Sequence, residues 1–277
     1  MEQGINLGWV MKRRGRPDRS LSEALELCRD AGIFILDYQP DVECGDYIEQ
    51  AKKAREEIDK MGMRVEQSHA PLYRYNRENP PTERFRKYAP RTVEAASVLG
   101  AKYLVIHTDE ITDQNRYSDR ELLNLTCEYL APTVESCVKH GIRPAFETVF
   151  DDGIGKRYGS RAEELLDVIG VFSGAGAGCC FDFGHGHIAF GDKFPENFAL
   201  LLPHVVCTHV HDNFWRQDMH LPAYFGSIDW ETTMSMLKKS GYSGEFVWEF
   251  VYERFPDALM PDYLQFIRRT GEYLISL

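Results

Sequence analysis

Cys179-Cys180-Phe181-Asp182-Phe183-Gly184-His185-Gly186-His187 is the stretch from which the fold can be read. Three apolar residues run into an aspartate, a histidine follows three residues later, and glycines interleave. The pattern predicts a short buried strand over Gly178–Phe181 that ends at Asp182, after which the chain turns through Gly184 and Gly186. A carboxylate and an imidazole at a strand's C-terminal end suit a metal or a polar substrate.

Working outward, the same unit recurs along the chain. Strands are predicted at Ile5–Trp9, Ile33–Leu36, from Met63 to His69, Tyr103–Ile106, Ile142–Phe146, Val205–Val210 and Glu245–Trp248. Helical patterns fall between and after them. Ser20 with Glu23 reads as a capping box, Tyr47–Met61 and Thr82–Leu99 follow, and Pro90 is expected to kink or split the latter. Further helices are predicted from Ser118 to His140, then Ser160–Ile169, Phe194–Leu202, Trp230–Lys239 and Tyr263–Leu274. Eight strands alternating with eight helices imply an α/β fold with a parallel sheet, and units of this length close into a single (β/α)8 TIM barrel spanning residues 1–277. The alternative, an open doubly wound sheet, often carries a glycine-rich dinucleotide fingerprint that this chain lacks.

Composition narrows the function. With 43% hydrophobic and 27% charged residues, the 277-residue chain has a globular mixture. No apolar run approaches the ~20 residues of a membrane span, so no membrane partner is expected. A net charge of -11 disfavours an electrostatic grip on nucleic acid. The seven cysteines form no C-x-x-C pair, which argues against thiolate zinc or a disulfide framework. With no basic, apolar leader at the N-terminus, a cytoplasmic location is expected.

In such a barrel the active site lies where the strands end. Those ends carry His69, His107, Glu147, Asp182 with His185, His209 with His211, and Glu249. Three carboxylates facing one lumen would repel one another, and a divalent cation removes that repulsion. Each residue alone also has a plain structural reading. Glu147 could pair with Arg143 or Arg157, Asp182 could cap a helix, and Glu249 could pair with Arg254; His140, His187 and His204 are taken as structural. Strand alternation turns both His209 and His211 to the lumen. His211, nearer the mouth, is read as the ligand and His209 as a deeper substrate contact. After the seventh strand, Asp218 and His220 form a D-x-H pair that could fold over the site, and Arg216 could hold a substrate hydroxyl or phosphate. Trp9, Tyr38, Tyr73, Phe150, Phe214 and Trp215 could wall a sugar.

Several segments together carry a family likeness: Phe146-Glu147-Thr148, Phe181-Asp182-Phe183-Gly184-His185, His209-Val210-His211-Asp212-Asn213, Asp218-Met219-His220-Leu221-Pro222, Gly226-Ser227-Ile228-Asp229-Trp230 and Trp248-Glu249. Through them nearly the whole chain resembles the xylose-isomerase-like barrel superfamily of sugar isomerases, ketose 3-epimerases, inosose dehydratases and endonuclease IV. The resemblance to the epimerases implies one divalent ion (Mn, Mg, Co or Zn) on Glu147, Asp182, His211 and Glu249. His185 would contact substrate oxygen and Arg216 would lie near a substrate-binding position. Endonuclease IV uses three zincs, and His69, His107, Glu147, Asp182, His185, His211, Asp218, His220 and Glu249 supply every ligand type for such a centre. The short spacing from His211 to Asp218 and the negative net charge count against that reading.

The expectation is a metal-dependent sugar or sugar-phosphate isomerase or epimerase, in which Glu147 and Glu249 exchange a proton through an enediolate. His69, His107, His185, His209, Arg216, Asp218 and His220 would contact a sugar or polyol. A homo-oligomer is compatible with this reading. The alternatives are an inosose-type dehydratase, a zinc phosphodiesterase, or a barrel that binds a sugar without turnover.

Overall fold

The computed structural model describes residues 1–72, 81–108, 114–151, 157–250 and 255–277. Tyr73 and Arg254, named above, lie outside them. Strand β1 (Gln3–Asn6) leads into helix α1 (Leu7–Met11), followed by α2 (Leu21–Ala31), β2 (Ile35–Asp37), α3 (Tyr47–Lys60), β3 (Arg64–His69) and α4 (Pro81–Leu99). Next come β4 (Tyr103–Ile106), α5 (Asp119–His140), β5 (Arg143–Glu147), α6 (Ala162–Val171), β6 (Gly178–Asp182), α7 (Phe183–Phe190) and α8 (Phe194–Leu201). The chain closes with β7 (Val205–Val210), α9 (Trp230–Lys239), β8 (Phe246–Trp248) and α10 (Met260–Ser276). The eight strands are parallel and in sequence order, and β8 pairs with β1 to close the barrel.

Two apolar layers separate cleanly. Ile106, Phe146, Phe181, Val210 and Trp248 belong to the large cluster between strands and helices. Val105, Ala145, Cys180 and Cys207 belong to a second, smaller cluster. Each of these four sits two residues before a polar strand-end residue: His107, Glu147, Asp182 and His209. Residues two apart share a face, so small apolar side chains plug the barrel directly beneath a polar layer.

Three local expectations change. Leu7–Trp9 leave the strand for a helix, because the Asn6 side chain caps it by accepting from the Trp9 amide. Pro90 lies inside α4 without dividing it. Buried Phe85, Ala89 and Val93 hold that helix to the core, which outweighs one missing helical hydrogen bond. After β6 the chain winds into α7 rather than a glycine turn: Asp182 Oδ1 accepts from the His185 amide at 2.7 Å, and Phe183 and Ile188 are buried.

Candidate metal centre

At the C-terminal mouth, register already sets the neighbours. Asp182 pairs directly with His209, and Glu249 follows the end of β8, its amide donating to Val210 O at 3.0 Å. Glu147, Asp182, His209 and Glu249 each offer one ligand atom, all within 4.8 Å of one another, and all four are buried. His209 Nδ1 is 3.2 Å from Glu147 Oε1 and 3.4 Å from Glu249 Oε2. Two further groups flank the quartet: His69 and His107 with Glu147, and His185, His211 and His220 with Asp218.

The hydrogen bonds of the flanking histidines fix where their protons are. A carbonyl can only accept, so His69 Nδ1–H donates to Ala70 O (2.7 Å), His185 Nδ1–H to Thr148 O (3.0 Å) and His220 Nδ1–H to Glu249 O (2.9 Å). In a neutral ring Nε2 is then a bare lone pair. Yet His69 Nε2 lies 3.0 Å from Glu147 Oε2, and His220 Nε2 lies 3.3 Å from Asp218 Oδ1. Lone pair facing lone pair is unfavourable, so each site needs a second proton or a cation between ring and carboxylate. A backbone carbonyl behind the ring is the usual arrangement of a metal-ligating histidine. The donor set, imidazole nitrogen plus carboxylate oxygen with His211 Nδ1 buried and unpartnered among the described residues, fits a divalent ion.

Without a cation, protonated rings balance the acids. Burial pushes the Glu147 carboxyl up, but the His209 and His107 charges outweigh it and hold it well below the usual range. Burial likewise raises Asp182 and Glu249, and their histidine neighbours pull both below normal. For His209 burial lowers the pKa, yet Glu147 and Glu249 carry it well above normal. His220 is lowered by burial and then raised to about 10 by its bond to Asp218 and the charge of Glu249.

The loop between β7 and α9 is anchored by buried Asp212. Its Oδ2 accepts from Trp230 Nε1 (2.9 Å) and Tyr224 N (3.0 Å), its Oδ1 from Ile228 N (3.2 Å), and its backbone bridges to Leu221. Asp218 and His220 are thereby brought back over the mouth. Trp9, Leu72, Val149 and Phe150 form apolar walls of the cavity, whose volume is about 180 Å³. His69, His107, His185, Asp218, His220, Glu147 and Glu249 also line it, together with Arg157.

The structure thus gathers His69, His107, Glu147, Asp182, His185, His209, His211, Asp218, His220 and Glu249, and the grouping differs from the expected one in two places. His209, not His211, completes the group of Glu147, Asp182 and Glu249. The His211 ring leans instead onto Asp182, with Nε2 at 2.9 Å, and onto the Asp218–His220 loop. Arg216 is exposed and absent from the cavity lining, where Arg157 stands over Phe150 instead. Phe214 and Trp215 are exposed, and Tyr38 does not line the cavity. Arg143 at the far end of β5 binds Gly176 O. Asp182 caps α7 and also lies in the cluster, so capping the helix does not take it out of the site. Asn6, Asp37 and Asp212 were missed as site residues, although Asn6 and Asp37 end strands in the same apolar-then-polar way.

Residues 22–270 match the family described as Xylose isomerase-like TIM barrel. The chain belongs to that family. Its relatives include the uncharacterized protein y4fM of Sinorhizobium fredii (strain NBRC 101917 / NGR234), 23% identical over 86% of this chain and 83% of that one. Among solved structures, a D-tagatose 3-epimerase-like protein is 22% identical, covers 99% of this chain and 98% of its own, and has a TM-score of 0.75. The IOLI protein with a bound zinc atom is 16% identical, with 100% and 98% covered and a TM-score of 0.79. At such identities these structures establish the shared fold.

Proposed function

We propose that this xylose isomerase-like barrel is a divalent-metal-dependent sugar isomerase or epimerase that moves a proton through an enediolate. The observation that carries the reading is the buried quartet of Glu147, Asp182, His209 and Glu249, two of whose carboxylates face the cavity. These four residues would hold the cation, which when bound supplies Lewis-acid polarisation of a carbonyl and offsets charge on the adjacent oxygens. The zinc in the similarly folded IOLI structure supports a metal, and the epimerase names of the structural neighbours support the chemistry.

The two glutamates divide the proton work unequally. Both oxygens of Glu147 are engaged by imidazole nitrogens within 3.3 Å: Oε2 by His69 and His107, Oε1 by His209 and His185. Glu249 Oε1 accepts from Trp9 Nε1 (3.2 Å) and Asn6 Nδ2 (3.3 Å), while Oε2 has, among the described residues, His209 Nδ1 nearby at 3.4 Å. Glu249 is therefore the better acceptor for a C–H proton; Glu147, carrying a proton of its own at that stage, donates it to the opposite face or to the neighbouring carbon, and the pair is reset through solvent. His107 and His185 hold substrate hydroxyls, while Trp9, Leu72, Val149 and Phe150 meet the carbon face of the sugar. A cytoplasmic setting and a single domain over residues 1–277 belong to the same proposal.

Incubation with ketoses, aldoses and inososes in heavy water tests it. A catalyst of this kind washes deuterium into a carbon next to the carbonyl, and an inosose-type dehydratase also releases water. A barrel that only binds its sugar exchanges nothing, and no exchange anywhere in the panel with metal present sinks the proposal. The second reading, a multi-zinc phosphodiester hydrolase, is favoured by the two flanking ligand groups. Three tightly held zinc ions per chain, with cleavage of a simple phosphodiester, would establish it instead.

A further inference from the structure

We propose that Asp37 is a positioning residue for His209, and that Asn6 couples the pair to Glu249. The inference rests on the reading above that His209 is a cation ligand. Asp37 ends β2, is wholly buried, and is the register partner of Asn6 at the end of β1. Its Oδ2 accepts from Asn6 Nδ2 at 3.0 Å and faces His209 Nε2 at 3.4 Å, while its Oδ1 has no partner among the described residues. A buried carboxylate served by one amide N–H is costly unless another donor completes it. His209 Nε2 also lacks any closer partner among the described residues, so the Nε2–H belongs to Asp37.

A neutral imidazole has one proton. With it committed to Asp37, Nδ1 presents its lone pair between Glu147 Oε1 and Glu249 Oε2, at 3.2 and 3.4 Å. Carboxylate, histidine and ligand oxygens then lie in the sequence that fixes both the tautomer and the orientation of a ligating ring. Asn6 extends the arrangement. Its Nδ2 reaches Asp37 Oδ2 and also Glu249 Oε1 at 3.3 Å, so one amide group orients two neighbours of the cation. Both contacts are acceptors, which fixes the amide nitrogen on that side. Strands β1 and β2 thus contribute the orienting groups, although neither supplies a member of the quartet.

The test compares Asp37→Asn, Asp37→Ala and His209→Ala in the full chain. Cobalt(II) is titrated against a competing chelator, the visible spectrum of the bound cobalt is recorded, and metal-free melting temperatures are measured. Asp37→Asn is expected to weaken cobalt binding by about 10- to 100-fold and alter the spectrum, with a metal-free melting temperature close to the parent's. Parent-like affinity and spectrum in Asp37→Asn, alongside weakened binding in His209→Ala, overturn the positioning role and leave the ligand reading standing. Unchanged binding in His209→Ala overturns the ligand reading and the role of Asp37 with it. If Asp37→Ala fails to fold, the Asn variant decides.

Discussion

The His211 and His220 rings stack face to face, with centroids 3.9 Å apart and planes 12° from parallel. One ring follows β7 and the other comes from the loop beyond it, so the stack closes the loop onto the mouth. His220 sits at φ +47°, a backbone conformation that side chains other than glycine rarely adopt. Its Nδ1–H bond to Glu249 O and the Asp218 carboxylate at its Nε2 hold it there.

That arrangement predicts a pH signature in the metal-free protein. Burial pushes His220 down, but Asp218 and Glu249 carry it to about 10. A raised folded-state pKa stabilises fully below the unfolded value of ~6.5 and stops doing so as pH rises through the folded value. Burial raises Asp218 and the His220 contact brings it below 3.8, so its contribution is present above that value and lost in acid. Asp218→Asn should therefore lower the metal-free melting temperature most between about pH 4 and 6.5, and progressively less toward pH 10. Melts with chelator at about pH 5.5 and 10 check this; an equal penalty at both would show that the charge pair is not what holds the loop.

Removing the cation should be visible in the same assay. Metal-free His209 is protonated well above its ordinary pKa, because the pull of Glu147 and Glu249 overcomes burial. A cation at the quartet must displace that proton, so binding releases protons and weakens as the solution is acidified. Since the unfolded chain has no assembled site, metal at about 100 times its Kd should add roughly 2.7 kcal/mol. A chelator should thus lower the melting temperature at pH 8 and do so less at pH 6. An unchanged melt at pH 8 would mean that these residues hold no metal.

Much of this was legible in the sequence, and for a definable reason. Burying strands on both faces makes their apolar runs and polar ends stand out, so six strand ends located one mouth. Depth was harder to read. The choice between His209 and His211 depends on how β6 and β7 are staggered, and a register irregularity at Cys179/Cys180 sets Cys180 opposite Cys207 and Asp182 opposite His209. Glycine 184 misled in the same region: it serves not a turn but the ring of His211, which a Cβ there would overlap. Arg216 was placed by sequence spacing alone, and loop direction is set by Asp212 and its long-range bonds to Tyr224, Ile228 and Trp230.

Glu249→Gln is the sharpest test of the proton role. The change is isosteric, and Asn6 and Trp9 decide how the new amide sits. Both donate to Oε1, at 3.3 and 3.2 Å, so the amide oxygen will take that position and the NH2 will take the place of Oε2. The NH2 then faces His209 Nδ1, 3.4 Å from Oε2 in the parent, and donates to the lone pair proposed for the cation. Two losses should appear together: turnover falls by about 10²- to 10⁴-fold, as expected when a general acid/base is removed, and metal affinity falls as well. Assays at saturating metal separate them. The fold should persist, since no buried volume is lost and the Asn6 and Trp9 bonds remain. Near-normal turnover at saturating metal would show that Glu249 carries no proton, whatever it does for the cation.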